Sequence, residues 1–521
     1  MRERLSKTAV IRILGAAALA LTALLAVAGT ASAGRSQPTM LQDDKVLIGG
    51  SQQQRDARLD ELKGLGVDIV KVRLSWRYIA PGGTSRTKPS FNATDPNAYP
   101  ASAWAPYDAV VRGAAARGMG VFFQLGGSAP EWATGGSRNS SVNEPNANEF
   151  KSFVQAVGTR YSGSFGGSAG GGTPGGLPIP VAGLLGSGAG ATSAASALPR
   201  VTAYSVWNEP NLKSWLSPQV KNGVPYAPVL YRRLMYAAAD GLSASGHGSD
   251  QLLLGELLPF ARSGRTGTTK IRPVAFLREL GCVDSHYRPY RGKAAKLRGC
   301  TGKFRKVPGT GVAFHPYTLG GGPNVPTPNR DDASISTLSR VTGAVDRLFS
   351  KHRIAKRRMP LWITEFGFQS NPPDRYATPL GKIPGFMGQS ERIAYKNSRV
   401  LSYSQYPLLD DPALGGFQSG LRFKNNKPKG GVYNAFAHTI YVRRISGSRV
   451  EVFGCERAAS SGAATIQART GAKGKWKTVA SAAVNQLGYF DRTVKLSSAS
   501  KRQYRYVMGN AKSRVAGAAK R

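Results

Sequence analysis

Val201-Thr202-Ala203-Tyr204-Ser205-Val206-Trp207-Asn208-Glu209-Pro210-Asn211-Leu212 is a β-branched and aromatic run that stops at Asn-Glu-Pro. Such a run makes a buried strand, and a proline cannot continue its ladder, so Glu209 falls at the strand's carboxyl end. Pro360-Leu361-Trp362-Ile363-Thr364-Glu365-Phe366-Gly367-Phe368 repeats the device and delivers Glu365 to a second strand's last position. In a parallel barrel the carboxyl ends of the strands build the active face, so the two glutamates are expected opposite one another.

Working outward, helix and strand patterns alternate along the chain. Thr39 to Asp43 reads as a first strand. Leu59, Leu62 and Leu65 mark the apolar face of a helix ending at Gly66, and Ile69, Val70, Val72 and Leu74 form the strand after it. The pair recurs as Tyr107 to Ala114 with Val121 to Leu125, and as Phe150 to Tyr161 with the Val201 strand. It continues as Leu230 to Leu242 with Leu252 to Gly255, and as Val274 to Leu280 with Val312 to Phe314. Leu338 to Leu348 with Leu361 to Thr364, and Ser390 to Ser398 with Val400 to Tyr406, complete the series. Val432 to Phe436 is the last helix. About eight such rounds predict an α/β fold, a (β/α)8 TIM barrel over residues 39–441.

Residues 162–198 interrupt the third round with Gly, Ser, Ala, Thr and Pro, too little apolar surface to fold, and read as a flexible insertion. Gly166-Gly167-Ser168-Ala169-Gly170 within it matches a serine-hydrolase elbow in letters only, with no strand before it and no helix after it. Val142-Asn143-Glu144-Pro145-Asn146 is a second decoy that opens a helix, so Glu144 reads as a first-turn acid. Past the barrel, short alternating runs around Arg449 to Phe453, Ala464 to Gln467, Trp476 to Val479 and Gln503 to Val507 predict a small antiparallel β-sandwich over 446–510. A basic tail, 511–521, follows.

With 521 residues and 41% hydrophobic residues the chain can bury a large core. Arg2, Arg4, Lys7 and Arg12 flank an apolar run to Val27, followed by Thr30-Ala31-Ser32-Ala33: the pattern of a secretory signal peptide, residues 1–33, with an uncleaved membrane anchor as the alternative. No other stretch is apolar enough to span a bilayer, so a secreted chain is expected. In an oxidising compartment Cys282 and Cys300 are the expected disulfide pair, and Cys455 is either a buried free thiol or a substitute for one of them. There is no Cys-x-x-Cys and no His-Glu-x-x-His, so neither a metal nor a cofactor is expected.

The formal charge is +42, and loss of the signal, with four basic residues and one acidic (Glu3), would leave about +39. Such a field attracts polyanions, an anionic cell surface or an acidic polysaccharide among them. Local clusters lie at Arg288 to Lys306 and Lys351 to Arg358. No nucleic-acid motif accompanies them, and charge alone gives only salt-sensitive, non-specific binding, so no specific nucleic-acid partner is expected.

Four motifs stand in order on the second, fourth, sixth and seventh strands: Arg73 in Lys71-Val72-Arg73-Leu74-Ser75-Trp76, Trp207-Asn208-Glu209-Pro210-Asn211, Phe314-His315-Pro316-Tyr317, and Trp362-Ile363-Thr364-Glu365-Phe366-Gly367. From about Met40 to Phe436 the chain resembles the clan A glycoside hydrolases, especially families 5 and 39. The resemblance implies a retaining double displacement on a polysaccharide or oligosaccharide, with Glu209 as acid/base and Glu365 as nucleophile. It further implies that Arg73 helps keep Glu365 charged, that Asn208 bonds the sugar's 2-hydroxyl, and that His315 and Tyr317 shape the subsite and orient Glu365. Two carboxyl groups in different surroundings suit that chemistry, one protonated and one ionised.

Alternatives stand beside these roles. A strand-end glutamate also caps helices, and His315 alone is also a core histidine, though Tyr317 shares its face at period two. Trp132 and Trp362, with Trp76 and Trp207, either line a sugar cleft or pack between strands and helices. Near the eighth strand the family's usual tryptophan is missing, and Tyr406 and Gly415-Gly416-Phe417-Gln418 stand there instead. Substrate choice is expected to lie in the loops Pro81 to Trp104 and Leu280 to Thr310. The competing functions are a non-catalytic carbohydrate-binding barrel and a cell-surface protein whose working part is the β-sandwich.

Overall fold

Eight parallel strands close on themselves in sequence order: β1 (Thr39–Gln42), β2 (Ile69–Leu74), β3 (Gly120–Leu125), β4 (Ala203–Val206), β5 (Gln251–Leu257), β6 (Gly311–Phe314), β7 (Leu361–Ile363) and β8 (Val400–Gln405), which pairs back onto β1. This is a computed structural model, and it describes residues 37–135, 140–166, 197–261, 269–318 and 320–519. The expected signal peptide, most of the expected flexible insertion and most of the elbow-like Gly166 to Gly170 lie outside those residues. No helix among the described residues is long and apolar enough to cross a membrane.

One long helix follows each strand: α1 (Gln52–Gly64), α2 (Ala101–Ala116), α3 (Ala147–Arg160), α4 (Ala227–Ala244), α5 (Pro273–Leu280), α6 (Ser339–Ser350), α7 (Ile383–Lys396) and α8 (Gly430–Ala437). The expected TIM barrel is therefore present. α7 starts seven residues before the expected Ser390, because Pro384 sits in its first turn, where a missing N–H costs nothing. Glu144 precedes α3 rather than opening it: Asn146 is the cap, and Glu144 pairs with Lys221 at 2.5 Å.

Inward-facing side chains stack in layers. The lower layer is apolar, formed by Met40, Ile69, Phe122, Ala203, Leu253, Ala313 and Trp362. Two residues further along their strands, Lys71, Gln124, Ser205, His315 and Thr364 form a polar layer with no solvent exposure, joined by Glu256, which is three residues past Leu253 because β5 bulges there. The period of two puts both layers on the inner face, and the polar one costs desolvation that only dense pairing can offset.

α8 runs directly into the C-terminal domain. Its first sheet orders β9 (His438–Arg444), β10 (Arg449–Glu456) and β13 (Tyr489–Lys495); its second orders β12 (Lys477–Ala483), β11 (Ala463–Thr470) and β14 (Arg502–Met508). Apolar residues of both sheets, among them Val442, Val450, Ile466, Phe490, Tyr504 and Tyr506, share one core. The sandwich thus begins at His438, earlier than the expected 446. The expected basic tail belongs to it as well: Ala511–Lys512 and Ala516–Gly517 both pair with β14. The other face of the first sheet lies on α7, where Arg457 Nη2 donates to Glu391 Oε2 at 2.6 Å, both side chains 1% exposed. Tyr489 Oη donates to the other oxygen of Glu391 at 2.7 Å. Cys282 and Cys300 form the expected disulfide and Cys455 is a buried free thiol.

Candidate active site

Glu209 and Glu365 follow the ends of β4 and β7, as their strand-end positions predict, and His315 stands between them. Its Nδ1 lies 3.2 Å from Glu209 Oε1 and 3.7 Å from Glu365 Oε2. One ligand atom from each of the three residues lies within 4.8 Å of the others, so the carboxylates face each other across a narrow gap. Tyr317 Oη donates to Glu365 Oε1 at 2.7 Å. Local backbone strain aims this end of β4: Trp207 has φ 64 and Glu209 φ 34, values uncommon outside glycine, and the Glu209 N–H donates to the Glu256 carbonyl at 2.9 Å.

Beneath the pair lies a buried ion cluster that the sequence pattern did not predict. Glu256 accepts from Lys71 Nζ at 2.8 Å, Ser205 Oγ at 2.5 Å and Thr364 Oγ1 at 2.8 Å, and faces His315 Nε2 at 2.6 Å. A bulge directs it inward: pairing between β5 and β6 slips at Gly255 to Leu257. Gly255 has φ 123 and would bring a Cβ within 2.3 Å of the Ala313 carbonyl oxygen, so only glycine fits.

Electrostatics follow from this packing. Burial works against the Glu256 carboxylate, but Lys71 and His315 overcome it and hold the pKa down to about 2. Burial also works against a charged His315, and Glu365, Glu209 and Glu256 overcome it, lifting the imidazole to about 10. With carboxylates on both sides, both ring nitrogens donate. A ring protonated on both nitrogens offers no lone pair, so an ion held by Glu209, His315 and Glu365 would have to displace a proton that the carboxylates favour. Burial and the neighbouring Glu209 raise Glu365 above the ordinary carboxylate range, against His315, Lys71 and Tyr317.

The other expected site residues divide. Gln124 Nε2 donates to Asn208 Oδ1 at 2.8 Å and so fixes that amide with its NH2 turned away from Gln124. Arg73 makes no bond to Glu365 among the described residues: its guanidinium lies over Trp215 at 4.9 Å, and Lys71, two residues earlier, supplies the interior charge instead. Trp362 is wholly buried in the apolar layer against Phe122, below the carboxylates, where no sugar can stack on it. Trp132 packs edge-on to Trp76 and Phe91 and donates Nε1–H to the Pro81 carbonyl at 3.0 Å, among the packing residues rather than those lining the cleft.

A cleft of about 660 Å³ opens beside Glu209, lined by it and by Tyr317, Phe368, Tyr376, Phe386 and Phe417, with Lys270 and Lys382 on its walls. Phe417 stands in the cleft wall near the end of β8: its ring lies 6.0 Å from Tyr317 and 4.8 Å, edge-on, from Tyr406. Neither loop expected to set specificity contributes to this lining. Leu280 to Thr310 joins α5 to β6, and such helix-to-strand connections lie at the opposite end of a barrel.

No family model and no curated protein matches the sequence. Among solved structures, the chain is similar to a glucosidase from Croceicoccus marinus, with 11% identity, a TM-score of 0.46, and 89% of this chain and 94% of the other covered. It is also similar to GH5_18 from Streptomyces cattleya, solved in complex with GlcNAc, at 13% identity, TM-score 0.42 and coverage of 76% and 78%. A family 1 β-glucosidase from Thermotoga maritima gives 12%, 0.40, and 74% and 85%.

Proposed function

We propose that the chain is a retaining glycoside hydrolase, with Glu209 as acid/base and Glu365 as nucleophile. The observation that carries the reading is the spacing of the two glutamates, an oxygen of each within 4.8 Å of the other, with Glu209 lining an open cleft. Retaining pairs stand about 5 to 5.5 Å apart, whereas inverting pairs stand roughly 6.5 to 9.5 Å apart to admit a water. Glu209 protonates the leaving oxygen as Glu365 bonds to the anomeric carbon. Glu209, now a carboxylate, then takes a proton from the water that releases the sugar.

The surroundings suit these steps. Tyr317 and the His315 imidazolium favour the ionised form of Glu365. The Asn208 NH2 has no partner among the described residues and is available to a sugar hydroxyl, while Phe417 and Tyr317 offer ring faces to the pyranose. Secretion and a polysaccharide substrate belong to the same proposal, supported by the signal-like first 33 residues and by the open cleft.

Incubation with a panel of activated 2-fluoro sugars, followed by peptide mapping, tests the assignment. A stable adduct on Glu365 is expected, and an adduct on another residue overturns it. Glu365→Gln should abolish turnover with the fold intact; undiminished activity in that variant would refute the nucleophile.

A further inference from the structure

The sandwich's second sheet turns its outer face away from the barrel, since the first sheet lies between them. On that face two cross-strand pairs of β11 and β14 form a square: Arg469 opposite Gln503, and Gln467 opposite Arg505. Each arginine donates only its Nε–H, at 2.8 Å, to the glutamine across from it. The Nη groups of both have no partner among the described residues. Trp476, partly exposed, lies over the two guanidinium groups, 4.5 Å from Arg469 and 4.4 Å from Arg505, and its indole N–H is likewise without a partner.

The charge around this square is one-sided. Residues 438–519 hold fifteen Lys and Arg against three acids, Glu451, Glu456 and Asp491. All three acids lie on the first sheet and have partners there or on α7: Glu451 pairs with Arg392 and Arg443, Asp491 pairs with Lys396, and Glu456 is hydrogen-bonded to the His438 ring. The second sheet has no carboxylate of its own, so its arginines lack the anion that a guanidinium fork is shaped to receive.

We infer that Arg469, Arg505 and Trp476 form a binding site for a uronic-acid polysaccharide. Two guanidinium groups, held by their Nε–H bonds and by the shared indole, keep their Nη donors for a sugar carboxylate. The indole supplies an apolar face of pyranose size beside them and one further donor. A bare phosphate polymer would use the charge but not the ring, so the combination favours the sugar acid. The site stands apart from the cleft and does not depend on the glycosidase reading.

The test is calorimetric titration of the full chain with trigalacturonate at 150 mM salt, which suppresses binding through scattered surface charge. Three variants share the assay: R469K/R505K, which keeps the charge and removes the forks; Trp476→Ala, which keeps both forks; and K356Q/R357Q, which removes two positive charges from an exposed loop of the barrel. Arg469/Arg505 replacement is expected to weaken binding at least tenfold and Trp476→Ala several-fold, with K356Q/R357Q within twofold of wild type. Unchanged melting of each variant shows that it has folded, and Trp476→Ala keeps the test decisive should the double variant not fold. Wild-type affinity in R469K/R505K or in Trp476→Ala, an equal loss in K356Q/R357Q, or tripolyphosphate binding as tightly as trigalacturonate would each overturn the site.

Discussion

His315 Nε2 and Glu256 Oε2 lie 2.6 Å apart in the sealed interior, while the other nitrogen of the same ring reaches Glu209 at 3.2 Å. The proposed catalytic pair therefore rests on a cation whose own counter-ion lies one layer below it.

Glu256→Gln keeps the shape and removes that counter-ion. Lys71 and His315 are left with one buried partner fewer, a loss typically costing about 3 to 5 kcal/mol. Urea unfolding should show destabilisation of that order, together with reduced turnover as His315 loses its orientation. A change below about 1 kcal/mol would mean that the cluster relaxes or admits water.

Stability should fall as the solution becomes alkaline. His315 is lifted from an ordinary 6.5 to about 10 by folding, so its contribution is complete below 6.5 and is lost as pH rises towards 10. Between those values the folded chain holds a proton that the unfolded chain has released, a slope of at most about 1.4 kcal/mol per pH unit. Denaturation midpoints across that window should decline for the wild type and decline less steeply for His315→Gln.

The acidic limb of the activity profile should lie above the ordinary glutamate range, because burial and Glu209 raise Glu365. Tyr317→Phe removes a bond that favours the ionised carboxylate. The limb of kcat/KM should therefore move to higher pH in that variant. A shift to lower pH would contradict the placement of the Tyr317 hydroxyl.

Phe417→Ala removes a ring from the cleft without touching either carboxylate. Ring contacts of this kind are worth about 0.5 to 1.5 kcal/mol, so KM should rise roughly two- to twelvefold with a smaller effect on kcat. Steady-state kinetics on whichever glycoside proves to be cleaved will separate the two constants.

The barrel and its two end-of-strand glutamates were legible because a strand that ends on Glu-Pro or Glu-Phe-Gly announces itself in one dimension. Lys71 and Glu256 were not. In Ile69 to Leu74 and Gln251 to Leu257 both faces are buried, so apolar residues crowd the pattern and a lone charge reads as noise. The Gly255 bulge also shifts the period just before Glu256. The signal available was a charged residue inside an otherwise apolar strand, which needs a partner; two such strands point to each other. Trp362 misled for the related reason that a position three residues before a strand-end acid belongs to the layer beneath it.

The Arg457 to Glu391 pair gives the junction of the two domains a practical meaning. Glu391 belongs to α7 and its cation to the sandwich, so a chain cut at Arg443 would strand a carboxylate inside the remaining protein and bare the aromatic side of Tyr395. The C-terminal domain is therefore a keystone and no detachable appendage: heating should melt both parts in one transition, and a shortened chain would report on collapse before it reported on the proposed activity.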